Sequence, residues 1–156
     1  MEPFVITKQV DRERGCIPAC AISVLKHFGS LPAEWSESLL IGWMLYVDWI
    51  HGHQISGFHN LAEVLNSTIP NQCTVHIGHF DESHQFLLEH NNAGLPVLHA
   101  HVSPDGAHCV VLTNADESGV RLHDPWPDSP FERRVTYAEL VSLGGGHQMS
   151  ISPKGV

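Results

Sequence analysis

The sequence predicts an α+β fold in which N-terminal helices pack on a C-terminal antiparallel sheet. Two observations predict it. Up to residue 90 the apolar residues recur mostly at helical spacing, whereas from residue 95 onward short apolar runs alternate with tight turns. Helices grouped in one half and strands in the other make an α+β arrangement. At 156 residues the chain suffices for one domain, 1–156, with its own core. It shows no internal repeat and no linker.

The first helix starts at Cys16. Pro18 suits a first turn, where its missing N–H would have no partner anyway. Ile17, Ala21, Val24, Leu25 and Phe28 line one face, and Gly29 is a natural stop. The apolar run 39–50 is too short to span a bilayer and carries Asp48, so it reads as a buried helix. Residues 57–65 and 81–90 read as further helices, with a strand at 71–77 between them.

The second half reads as a meander. Residues 95–102 make a strand, Ser103-Pro104-Asp105-Gly106 a turn, and 108–112 a second strand. Asn114 to Gly119 turn the chain again into a third strand, 120–123, which stops at Asp124-Pro125-Trp126-Pro127. Thr136-Tyr137-Ala138-Glu139 is a capping box opening a short helix. Gly144-Gly145-Gly146 ends that helix, and 147–151 form a last strand.

Chemistry concentrates at Cys16. A thiol at a helix N-terminus lies in the positive end of the macrodipole, which favours thiolate. Such positions lower a cysteine pKa from about 8.5 into the range of roughly 3.5–7.5. A lone helix-start cysteine is also commonly a small buried hydrophobe. The meander supplies the missing partners, because it holds His108 and Asp124 at one end of the sheet. That is the geometry of a base oriented by a carboxylate.

These motifs resemble the papain-like cysteine peptidases of the C39-like, bacteriocin-processing type. The family's cysteine motif reads roughly Asp-Cys-Gly-Pro-Ala-Cys, followed by an apolar helix; here Cys16-Ile17-Pro18-Ala19-Cys20 stands in its place. Gly94-Leu95-Pro96-Val97, His108 with Val110-Val111, and Asp124-Pro125 are similar to its second half. The resemblance spans residues 9–124. It implies a papain-like fold, Cys16 as nucleophile, His108 as general base and acid, and Asp124 as the group orienting the histidine. Gln9 would donate its side-chain amide to the oxyanion. A peptide or protein substrate is implied, with no cofactor, and cleavage after Gly-Gly is the family's habit.

Two departures stand out. Ile17 follows the nucleophile where the family usually has Gly, which would narrow the groove beside the thiol. Gly15 replaces the usual polar residue before it, and the loop from Gln9 to Cys16 is about one residue longer than usual.

Other readings stay open on sequence. Papain-like scaffolds also host amidases, acyltransferases and toxins using the same thioester chemistry, and a non-catalytic peptide-binding module is a third class. Thirteen histidines invite a metal, through His51-x-His53 and His99-x-His101 each on one strand face, or Cys16 with Cys20. No CxxC pair or HExxH helix is present, so no metal is expected. Cys20, Cys73 and Cys109 read as buried thiols. A formal charge of −9 argues against nucleic acid as a partner. No stretch has signal-peptide order, so no membrane partner and a reducing cytoplasm are expected, leaderless export leaving no trace. The segment 139–146, a Glu-Leu pair followed by Val141, Leu143 and glycines, reads as a glycine-capped helix. Its alternative reading is a substrate-like leader, cut after Gly146.

Overall fold

The computed structural model describes residues 3–103 and 106–154. Three helices come first: α1 (Cys16–His27), α2 (Glu37–Ile50) and α3 (Gly57–Thr68). Then follow β1 (Cys73–His79), α4 (Gln85–Asn92), β2 (Val97–Ser103), β3 (Gly106–Thr113), β4 (Val120–His123), β5 (Arg133–Val135), α5 (Tyr137–Leu143) and β6 (His147–Pro153). The six strands form one sheet in the order β1-β6-β2-β3-β4-β5, every pair antiparallel. The expected meander is β2-β3-β4. Residues 104–105 of its predicted first turn lie outside the described residues.

Helices cover both faces of the sheet. Leu98, Cys109, Val111, Met149 and Ile151 pack with α1, α2 and α3, while Val97, Val110, Leu112 and Leu122 pack with Leu87 of α4 and Leu140 of α5. Strands buried on both sides read as continuous apolar runs. That is why 108–112 showed no alternation. Cys20, Cys73 and Cys109 are buried as free thiols.

The helix at 39–50 requires a correction. It begins earlier, at Glu37, where the Ser36 hydroxyl accepts the Leu39 N–H at 3.2 Å. It lies on the surface, with only Leu40 and Val47 fully inward and Trp49 68% exposed. A segment that is apolar all round carries no moment to say which face is covered. Among the described residues no helix is long and apolar enough to cross a membrane.

His51 and His53 do not share a strand. His51 caps α2, and Gly52 (φ 62°) and His53 (φ 63°) turn the chain in the left-handed region. His51 Nε2 meets Glu63 Oε1 at 2.9 Å, and His53 Nδ1 meets Asp48 Oδ2 at 2.6 Å. The predicted helix at 81–90 starts later, at Gln85, because Asp81 Oδ1 accepts the Ser83 N–H at 2.9 Å and holds a turn.

Gly144-Gly145-Gly146 is a structural junction. Gly144 (φ 82°) closes α5, and its carbonyl oxygen lies 2.8 Å from His99 Nε2. A Cβ on Gly145 would come within 2.4 Å of the His99 ring. Gly146 donates its N–H to Ala100 O at 3.3 Å, and the chain continues into β6, an inner strand between β1 and β2. Cutting after Gly146 would sever the covalent link between α5 and this inner strand.

Candidate active site

Cys16 is the first residue of α1 and is half-buried. The turn before it is tight: Gly15 donates its N–H to Asp11 O at 3.0 Å. A Cβ at residue 15 would sit 2.4 Å from that backbone oxygen and 2.9 Å from Gln9 Cβ. Only glycine fits, which accounts for the missing polar residue. Asp11 Oδ1 accepts the N–H groups of Glu13 and Arg14 at 2.9 and 2.8 Å, giving the longer loop its own turn.

His108 on β3 and Asp124, directly after β4, come together as the meander required. His108 Nε2 lies 2.7 Å from Asp124 Oδ1, which also accepts the Trp126 N–H at 2.9 Å. The Cys16 thiol stands beside the same ring, close enough to help raise its pKa. With Nε2 engaged by Asp124, Nδ1 is the nitrogen left for sulfur.

The charges are set by these contacts. Burial disfavours the charged His108 ring, but the Asp124 hydrogen bond and the neighbouring Cys16 thiol, with their charges, outweigh it and raise the pKa to about 9. Burial likewise opposes ionisation of Asp124. The His108 and Trp126 hydrogen bonds outweigh that too and hold the carboxyl below its usual range. At neutral pH the pair is imidazolium and carboxylate.

Aromatic rings fix His108 on two sides. Trp126 stands edge-to-face at 6.5 Å and His101 at 5.5 Å between centroids. Trp126 is itself covered by the Arg12 guanidinium at 4.9 Å, which pairs with Asp128 at 2.9 Å.

Gln9 is buried beside this group. Its backbone N–H donates to Pro125 O at 2.8 Å, which ties the N-terminal segment to the residue after Asp124. Lys8 reinforces the tie, its Nζ donating to the carbonyls of Asp124, Trp126 and Ser129 at 2.8, 3.0 and 2.7 Å. One Gln9 amide hydrogen is used on Asp11 O at 2.9 Å, and Oε1 has no partner among the described residues.

Sequence reasoning passed over Glu37. Its carboxylate accepts the Val10 N–H at 3.0 Å and the Asp11 N–H at 2.8 Å, clamping the loop between Gln9 and Cys16. Ser36 as an N-cap would have revealed the helix start, but only the tertiary fold shows where this side chain reaches. Ile17 points its Cδ1 at α3, to within 2.5 Å of where a Cβ on Gly57 would stand. The larger residue after Cys16 is thus accommodated by a glycine on the facing helix.

The metal pairings find other work. Cys20 Sγ lies 3.5 Å from Cys109 O in full burial. His99 is held by Gly144 O and by Gln148 Nε2, the latter at 3.0 Å. Among the described residues no three His, Cys, Asp or Glu side chains gather as a metal would need.

Known structures share this architecture. The peptidase domain of Streptococcus ComA, a bi-functional ABC transporter involved in quorum sensing, superposes with a TM-score of 0.67 at 18% identity, over 97% of this chain and 100% of that one. The fold is that of the C39 peptidase domains. A C39-like peptidase from Bacillus anthracis matches at a TM-score of 0.58 and 17% identity, over 96% of this chain and 98% of that one. A double-glycine-motif protease from an AMS/PCAT transporter, solved with its leader peptide, matches at 0.61 and 13% identity, over 96% of this chain and 92% of that one. No protein-family model matches the chain, and no curated protein does.

Proposed function

We propose that this chain is a C39-like cysteine peptidase that hydrolyses a peptide bond through Cys16, His108 and Asp124. The carrying observation is the His108 ring hydrogen-bonded to the Asp124 carboxylate and lying beside the thiol that opens α1. In the resting site His108 already holds the proton that the Cys16 thiol gives up, as imidazolium beside the sulfur, and the thiolate attacks the scissile carbonyl. The oxyanion is held by the Cys16 backbone N–H, which has no intrahelical partner at a first-turn position, and by the second Gln9 amide hydrogen. His108 then gives its proton to the leaving amine. Water, with His108 as base, resolves the thioester and frees the thiol. Asp124 keeps the ring aimed throughout and stabilises its charge.

The substrate class follows by likeness to the neighbour solved with its leader peptide. That neighbour is a double-glycine-motif protease. We therefore assign peptides cut after Gly-Gly as the first substrates to try. The test is mass spectrometry of such peptides incubated with wild type and with Cys16→Ala. Cys16-dependent products ending in a free Gly-Gly carboxylate support a peptidase. Transfer of the acyl group to an added amine instead of water would make the protein an acyltransferase, and binding without turnover would make it a peptide-binding module.

A further inference from the structure

A cavity of about 490 Å³ opens at the far end of α1 from Cys16, with His27 on its wall. Helix geometry puts these two residues roughly 16 Å apart along the axis. The volume falls in the range of roughly 300–1,000 Å³ typical of small-molecule sites.

Its lining is mixed. Pro3, Phe4, Leu95 and Pro96 supply apolar surface, and the Phe4 ring stands edge-on to His27 at 5.5 Å and to His123 at 4.8 Å. Thr113, Arg121, His123 and Glu132, together with Asn91 and Asn114, supply polar surface. His123 is only 3% exposed, with Nε2 lying 2.8 Å from Thr113 Oγ1. Its Nδ1 lies 4.0 Å from Glu132 Oε2, beyond hydrogen-bond length, and no described residue gives it another partner. Burial lowers the His123 pKa to about 4, so the ring is neutral at physiological pH. When Thr113 donates to Nε2, Nδ1 carries the proton and is a free donor.

Arg121 Nη1 and Glu132 Oε1, both in the lining and about half exposed, stand 3.4 Å apart. An exposed pair of this kind contributes little to stability, so opening it costs little. An anion alone would gain Arg121 but face Glu132, and a cation alone would meet the reverse. A ligand bearing both charges satisfies both.

We propose that this cavity binds a small zwitterion of the amino-acid or dipeptide class. Its carboxylate meets Arg121 and the His123 Nδ1–H, its ammonium meets Glu132, and its apolar side chain lies against Phe4 and Pro96. The site is separate from the thiol chemistry and stands whether or not the protein is a peptidase.

Calorimetric titration of the full-length Cys16→Ala protein tests it with L-leucine and glycyl-L-leucine. Saturable binding is expected for at least one of them. N-acetyl-L-leucine and L-leucinamide, each lacking one charge, should bind at least tenfold more weakly than leucine. Arg121→Gln and Glu132→Gln should each weaken the zwitterion at least tenfold with unchanged Tm. No saturable binding of either zwitterion at millimolar concentration overturns the proposal. So does equal binding of the blocked compounds, or binding that both substitutions leave intact, which would place the ligand elsewhere.

Discussion

His108 and Asp124 are sixteen residues apart in sequence and 2.7 Å apart in space, joined through Nε2 and Oδ1. The β3-β4 pairing, which sets Val111 opposite His123, brings them to one end of the sheet. Asp124 anchors the ring that the proposed Cys16 chemistry needs. His108→Ala should therefore lose most activity. Asp124→Asn should lose less, because an amide oxygen still accepts from Nε2–H. Its kcat/KM profile should show the alkaline limb, set by His108 near pH 9 in the wild type, moved to lower pH. An unmoved limb would mean that another group titrates there.

Gln9→Ala tests the oxyanion assignment. Loss of one donor from such a site costs about 2.7–4 kcal/mol in transition-state stabilisation, or about 10²–10³ in kcat. Unchanged kcat/KM would remove Gln9 from the site while leaving the pair standing.

Gly15→Ala strikes the turn that delivers Gln9 and Cys16 together. The new Cβ would meet the Asp11 backbone oxygen at 2.4 Å, a contact no side-chain rotation relieves. Overpacking of this kind costs about 1–3 kcal/mol. The variant should show a lowered denaturation midpoint and reduced kcat. Wild-type stability and activity would show that the loop can shift at no cost.

Much of this was legible in the sequence because it rests on local signals. Pro18 and Gly29 bracket α1, and the glycine-bearing turns mark the meander. What was not legible depends on tertiary partners. Nothing local says that Glu37 reaches back to Val10 and Asp11, or that Gly57 makes room for Ile17. The three-residue strand β5 is too short for any pattern to show, and its exposed arginines hide it further. The surface position of α2 was missed because its apolar residues go all round.

Stability should peak near pH 6.5. His108 has its folded pKa raised to about 9, so its contribution is full below 6.5 and is lost as pH rises toward 9. His99 and His123 are buried with folded values lowered to about 4, burial being the leading cause in each. Their contribution is full above 6.5 and is lost as pH falls toward 4. Denaturant midpoints measured across this range check both signs. A midpoint that keeps rising from pH 6.5 to 9 would contradict the His108 assignment.

The central claim is that Cys16 is the nucleophile, activated by His108. It is tested most directly by intact-mass and peptide-mapping measurements after exposure to a thiol-directed acylating probe, run on wild type, Cys16→Ala, Cys20→Ala and His108→Ala. One adduct on Cys16 is expected in wild type and in Cys20→Ala, none in Cys16→Ala, and a much slower adduct in His108→Ala. Labelling that persists in Cys16→Ala, or that proceeds at the wild-type rate without His108, would contradict it.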